Sequence, residues 1–315
     1  MIRVENLTRD YGPVRALDSV SFEVGQNQIL GFLGPNGAGK STAMKIITTY
    51  LAPTEGTALV DGIDVTEDPI AVRRKSGYLP ETNPLYVDMR VDEYLDFCGR
   101  ARGLRGSELR TRLDYAIGAA GIGHVLKKEI QELSKGYKQR TGLAQALIHD
   151  PPVLILDEPT SGLDPLQIVE IRNLIQELAK EKTIIFSTHI LSEISSTTDR
   201  VIIINDGRII ADGMVSQLTR EAVGEQVLDA VFRAPVADVE SRVGALSGVA
   251  RMTVHAGVDG TAEASVIADG DPVAIQREMG ELAAREGWAV LGLTTKSATL
   301  EDVFQHLIRQ EVSRG

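Results

Sequence analysis

What this sequence has little of narrows its function before any motif is read. It has one cysteine, Cys98, so no internal disulfide can form. That fits a reducing compartment and reads as a small apolar filler. A basic surplus is missing too. The formal net charge is −11, which argues against broad, charge-driven binding to nucleic acid or anionic lipid. Long hydrophobic runs are absent. The longest, Val153–Leu156 and Val201–Ile204, have the length of buried strands and fall far short of the roughly 18 apolar residues a membrane span requires. The N-terminus, MIRVENLTRDYG, places charges where a signal peptide needs an apolar core. These absences lead us to expect a cytoplasmic protein with no nucleic-acid partner, touching a membrane only through another polypeptide.

What is present is an alternation of short apolar runs and helical patterns, the signature of a mostly parallel sheet covered by helices. Gln28–Leu33 reads as a strand, followed by glycines and then a helix from about Gly39 to Tyr50. Thr57–Val65 reads as a hairpin turning at Asp61-Gly62. Residues from about 84 to 135 read as a helical insertion without a strand. Val153–Leu156 and Thr183–Ser187 are buried strands joined by an amphipathic helix over Leu166–Lys180. Val201–Asn205 and Arg208–Ala211 pair around Asp206-Gly207. After about Thr219 the texture changes. The order becomes strand Val227–Arg233, helix Ala237–Leu246, strands Ala250–His255 and Glu263–Ala268, helix Pro272–Glu286, strand Ala289–Leu293 and a closing helix Leu300–Arg309. That is the split βαβ plan of a ferredoxin-like βαββαβ domain. At 315 residues two domains are expected, an α/β domain over 1–218 and an α+β domain over 225–315.

Gly34-Pro35-Asn36-Gly37-Ala38-Gly39-Lys40-Ser41, followed by Thr42, fits G-x-x-x-x-G-K-[ST] between a strand and a helix. Its glycines let the backbone wrap so that N–H groups converge on phosphate oxygens, and the helix behind presents its positive end to the same anion. Lys40 is expected to reach the β- and γ-phosphates, and the Ser41 hydroxyl to ligate Mg²⁺. Asp157 ends an apolar strand, where an acid can hold Mg²⁺ through water, and Glu158 beside it can polarise the attacking water. His189 ends a second strand and can hydrogen-bond the γ-phosphate. The other histidines, His124, His149, His255 and His306, have no such context. No Asn-Lys-x-Asp guanine reader is present, which disfavours a GTPase.

With these residues in place, residues 1 to about 218 resemble the ABC-transporter ATPase family. Leu133-Ser134-Lys135-Gly136-Tyr137 looks like its LSGGQ signature, Ser161-Gly162-Leu163-Asp164 its D-loop, and Gly77-Tyr78-Leu79-Pro80-Glu81 its Q-loop region. Tyr11 matches the aromatic that stacks on adenine. GYLPETNPLY together with LSKGYKQR resembles the exporter-type branch that includes gliding-motility and antibiotic- or lipid-export ATPases. The resemblance implies a P-loop NTPase fold binding ATP and Mg²⁺. It also implies a head-to-tail homodimer in which Ser134, Gly136 and Asp164 act across the interface, and a separate transmembrane permease contacted by the helical insertion. Glu81, where the family usually has glutamine, remains a candidate Mg²⁺ ligand; Lys135 replaces a glycine and Tyr137 a glutamine. In the segment Pro84–Gly103, Tyr86, Met89 and Tyr94 look exposed beside charges, with docking on a partner and ordinary amphipathic core packing equally open. The other reading is a soluble ABC ATPase working on a non-membrane partner. Such proteins usually join two ATPase domains or insert long coiled coils, whereas this chain has one phosphate loop and no sustained heptads.

Overall fold

The computed structural model describes residues 1–222, 226–269, 271–296, 300, 301, 303 and 304. The chain divides into two units, Met1–Val215 and Ser216–Gly315.

The first unit opens with two strands absent from the reading above, β1 (Ile2–Tyr11) and β2 (Val14–Val24), a hairpin joined through Gly12 at φ 58°. Register shifts between Val4 and Asp10 break the strict alternation that marks a strand in sequence. Next come β3 (Ile29–Leu33) and α1 (Lys40–Ile47). The hairpin β4 (Glu55–Val60) and β5 (Ile63–Asp64) turns at Asp61-Gly62, both at positive φ, as a tight hairpin demands. Helix α2 (Pro69–Lys75) has proline in its first turn and Asp68 accepting from the Ala71 N–H, and it leads into β6 (Ser76–Leu79).

The insertion contains α3 (Val91–Ala101), α4 (Gly106–Ala120) and the start of α5 (Lys135–Leu147), with no strand beyond an isolated bridge between Arg90 and Glu129. The expected exposure of Tyr94 is wrong. It is 5% exposed, because Val91, Tyr94 and Leu95 share the buried face of α3 at helical spacing, and Tyr86 packs edge-on against it at 5.9 Å. Tyr86 is exposed and Met89 partly so.

The remaining elements are β7 (Val153–Asp157), α6 (Pro165–Leu178), β8 (Thr183–Thr188), α7 (Leu191–Thr197), β9 (Arg200–Asn205) and β10 (Arg208–Met214). Two sheets result. The antiparallel one runs β2-β1-β4-β5, and the larger one β10-β9-β3-β8-β7-β6, parallel except for the edge strand β10. Every residue of β7 and β8 is buried, because a parallel sheet is covered on both faces. Phe22 of one sheet meets Phe32 of the other at 5.5 Å within a single core that also takes in Met44 and Ile46 of α1. Each fully buried side chain of this size contributes about 1.5–3 kcal/mol.

The second unit takes in α8 (Val215–Ala222) from its second residue, then β11 (Gln226–Arg233), α9 (Val236–Val243), β12 (Val249–Ala256), β13 (Ala262–Ala268), α10 (Pro272–Glu286) and β14 (Ala289–Lys296). Its sheet order is β12-β13-β11-β14, antiparallel throughout, and its own core centres on Leu228, Phe232, Val239, Val266 and Met279. The expected closing helix, Leu300–Arg309, lies mostly outside the described residues.

Candidate active site

The strand order decides where the site lies. β3, β8, β7 and β6 are neighbours, and in register Leu33 stands beside Thr188, Asp157 beside Ser187, and Leu79 beside Leu156. The loops leaving their C-terminal ends, which carry the phosphate-binding motif, His189, Glu158 and Glu81, therefore emerge side by side. Open α/β sheets bind ligands outside this edge.

The phosphate loop needs its glycines for space as much as for turning. A Cβ at Gly34 would lie 2.3 Å from the Ile204 carbonyl oxygen, and Gly39, at φ 108°, would place one 2.5 Å from that of Ala16. Gly37 is also at positive φ. Lys40 starts α1 and is 5% exposed; its Nζ donates to the carbonyls of Gly34 (2.8 Å) and Pro35 (3.2 Å) and stands 3.5 Å from Glu158 Oε1. Asn36, Gly37, Gly39, Lys40, Ser41 and Thr42 line a cleft of about 210 Å³, closed on its far side by Glu81 and Glu158. Pro35 and Ala38 complete the loop, the Ala38 N–H donating to the Pro35 carbonyl at 3.2 Å.

The acidic side is held by residues that the motif reading did not single out. Ser187 Oγ donates to Asp157 Oδ1 at 2.6 Å and accepts from the Glu158 N–H at 3.0 Å, fixing both acids from the neighbouring strand. Glu158 itself sits at φ 50°, a strained conformation for a residue with a side chain. Its Oε2 accepts from His189 Nδ1 at 2.9 Å, an arrangement that leaves Nε2 of a neutral ring as an acceptor. Thr188 Oγ1 donates to Glu193 Oε2 at 2.6 Å and accepts from the Ile190 N–H at 3.0 Å, bracing the turn that carries His189. The signal for these helpers was the polar pair Ser187-Thr188 closing an apolar strand.

Glu81 also borders an adjoining hollow of about 380 Å³, lined by Ser41, Asp157, Tyr50, Tyr78, Arg102 and Gln145 among others. Ser41, Asp157 and Glu81 thus meet as a set of oxygen donors, the chemistry a hard divalent cation prefers. Among the described residues no group of three or more His, Cys, Asp or Glu could hold a metal ion. A cation here would have to complete its shell from phosphate and water, as Mg²⁺ does in nucleotide sites.

Four expected residues stand apart from this cleft. Ser134 caps α5, accepting weakly from the Tyr137 N–H at 3.4 Å, with Gly136 buried just inside the helix. Asp164 caps α6, accepting from the Gln167 N–H at 2.9 Å. The two helix starts interlock. A Cβ at Gly136 would lie 2.4 Å from Gln167 Oε1, and one at Gly162 would lie 2.1 Å from Lys135 Nζ. Tyr11 ends β1, 45% exposed, with the Arg9 guanidinium 4.9 Å above its ring, and is not among the residues lining the cleft.

The sequence model described as ABC transporter matches residues 17–161, the stretch from β2 to the start of the D-loop. The bacitracin transport ATP-binding protein BcrA of Bacillus licheniformis is 32% identical over 317 residues, covering 98% of this chain and 97% of that protein. The chain belongs to the ABC transporter ATP-binding family. As a member it is an ATPase, and its similarity to BcrA extends through the second unit. The daunorubicin/doxorubicin resistance ATP-binding protein DrrA of Streptomyces peucetius is 32% identical over 307 residues, 96% of this chain and 91% of that one. Among solved structures, an ATP-binding subunit of an ABC transporter matches at TM-score 0.64 and 32% identity, covering 70% of this chain and 92% of that one. The dimeric structure of the bacterial ABC transporter cassette MJ0796 matches at TM-score 0.63 and 27% identity, over 68% and 98%. No helix among the described residues is long and apolar enough to cross a membrane.

Proposed function

We propose that this ATPase powers an exporter, pairing head to tail with a second copy of itself and docking on a separate transmembrane permease at the inner face of the cell membrane. The observation that carries the reading is the split of its functional residues. Lys40, Ser41, Asp157, Glu158, Glu81 and His189 gather at one sheet edge, while Ser134, Gly136 and Asp164 stand at the starts of helices and do not line that cleft. A site divided this way is completed by a second subunit, and the MJ0796 cassette was solved as a dimer.

In this arrangement ATP displaces the internal acceptors of Lys40, whose ammonium turns from the Gly34 and Pro35 carbonyls to the phosphates. Tyr11 receives the adenine on its exposed ring face. Ser41, Asp157 and Glu81 would hold Mg²⁺, which supplies charge neutralisation on the phosphate oxygens. Glu158 orients and deprotonates the attacking water, and His189, fixed by Glu158, offers Nε2 as an acceptor that helps orient that water at the γ-phosphate edge. The partner's signature helix closes over the γ-phosphate, and loss of that phosphate releases the dimer. The hollow between Glu81 and Arg102 suits a segment of the permease, so that closure in the ATP site is felt by the membrane partner. BcrA and DrrA are named for bacitracin transport and for daunorubicin/doxorubicin resistance, and the solved relative cbiO1 of Clostridium perfringens as part of an ABC transporter complex, which supports export through a permease.

Two measurements test this. Glu158→Gln should retain ATP and accumulate as an ATP-held dimer; unchanged turnover removes Glu158 from its role. Tagged protein recovered from detergent-solubilised membranes of the native host should bring down a multi-span protein in stoichiometric amount, and recovery only with ribosomal or DNA-repair proteins overturns the exporter.

A further inference from the structure

The two departures that carry charge, Glu81 and Lys135, have opposite sign and sit on the two halves of the divided site. We propose that they compensate one another across the dimer, the amine of Lys135 from one subunit facing the γ-phosphate held in the other subunit's cleft, where Glu81 stands. This rests on the head-to-tail reading given above.

The charge balance of the cleft motivates it. Among its lining residues Lys40 is the one cation, against the carboxylates of Glu81 and Glu158, and Lys40 is already 3.5 Å from Glu158. Asp157 adds a further acid in the adjoining hollow, which Glu81 also borders. A polyphosphate entering here meets more negative charge than the loop's own lysine offsets, and repulsion between such groups is strong where water is excluded. Glu81 adds a negative charge that a neutral glutamine would not, beyond what Lys40 and the Mg²⁺ proposed above offset, and a cation from the other half of the assembled site would relieve it.

Lys135 is placed to supply it. It is the first residue of α5, directly after the cap Ser134, and it is exposed. The neighbouring cations are committed. Lys138 donates to the Gln131 carbonyl, and Arg140 donates to the Ala120 carbonyl and pairs with Glu170. Among the described residues no ion pair or hydrogen bond is recorded for the Lys135 amine, which lies folded over Gly162 of the D-loop. Only glycine leaves room for it there, since a Cβ at 162 would meet Nζ at 2.1 Å, Cε at 3.0 Å and Cδ at 3.2 Å. The stem is thereby turned aside from the first turn of α5. The positive end of the helix faces an anion with the amine's charge next to it, although the Tyr137 N–H is shared with the Ser134 cap. No acid stands in that first turn to neutralise the amine locally.

The test is a double-mutant cycle read as ATP-dependent dimerisation, by light scattering, in the Glu158→Gln background so that turnover plays no part. Lys135→Gln removes the charge and keeps the length; Lys135→Arg keeps the charge. With Glu81 present, Lys135→Gln should raise the ATP concentration for half-maximal dimer about tenfold, and Lys135→Arg should leave it near the parent value. With Glu81→Gln also present, the Lys135→Gln penalty should shrink to about twofold or less. An equal penalty in both backgrounds, no penalty at all, or a loss that Lys135→Arg fails to rescue overturns the compensation while leaving the dimer standing. If the parent forms no dimer with ATP, the head-to-tail reading falls and this proposal falls with it.

Discussion

The two units of this chain build sheets on opposite plans, and the contrast explains why the candidate site gathers in the first. In the first unit β7 and β8 are buried along their whole length, and parallel order forces each strand to leave the sheet through a long connection. Four neighbouring strands therefore release their loops at the same edge, and Lys40, Glu81, Glu158 and His189 ride on those loops. In the second unit the strands are antiparallel and alternate. β13 reads buried at Ala262, Ala264, Val266 and Ala268 and more open between them. Adjacent strands point opposite ways, so their ends do not gather charged loops at one edge. Its helices α9 and α10 supply a core, with Phe232 against Trp288 at 5.8 Å.

The contrast can be broken at either end. Lys40→Ala should lower ATP hydrolysis by about 10³-fold, since it removes the cation the phosphate loop is built around, with phosphate release as the measurement. Survival of most of the activity would mean that the loop does not bind the phosphates. Phe232→Ala should cost about 3–4 kcal/mol in the second unit. Chemical denaturation followed through Trp288, the single tryptophan, should register that loss, while turnover per folded molecule stays near the parent value. A matching fall in turnover would tie the second unit to catalysis.

The smallest effect sharpens the comparison within the first unit. His149 is held neutral. Burial first, and then the charge of Arg102, lower its pKa to about 4, and its Nε2 lies 3.0 Å from the Ser76 carbonyl. Between pH 6.5 and about 4 the unfolded chain binds a proton that the native ring refuses, so stability falls as pH drops through that window. The loss should reach about 1–2 kcal/mol at pH 5 relative to pH 7.5. In His149→Gln the denaturation midpoint should depend less on pH, and an unchanged slope would remove His149 from the linkage.

The motifs were legible because they are local. Phosphate binding needs consecutive N–H groups and a lysine at fixed spacing, and a Walker-type acid must follow an apolar strand, so contiguous residues record both. The βαββαβ order was legible for the same reason, through the period of its apolar residues and the glycine-bearing turn at Gly257–Gly260. The N-terminal hairpin was not, because its bulges disturb the two-residue period. Tyr94 misled because a tyrosine beside charges reads as surface, whereas helical phase turned it inward.

By itself, then, the sequence carried the phosphate-loop motif, the acids that end an apolar strand, the signature-like segment and the change of texture near Thr219, since each depends on neighbours in the chain. Only the tertiary structure decided that Ser187, 30 residues from Asp157, holds both acids in place. It alone placed Glu81 on the cleft wall and laid Lys135 over Gly162. Those relations depend on which strands become neighbours and which helix starts interlock. Strand order and packing set them, and no local spacing encodes either.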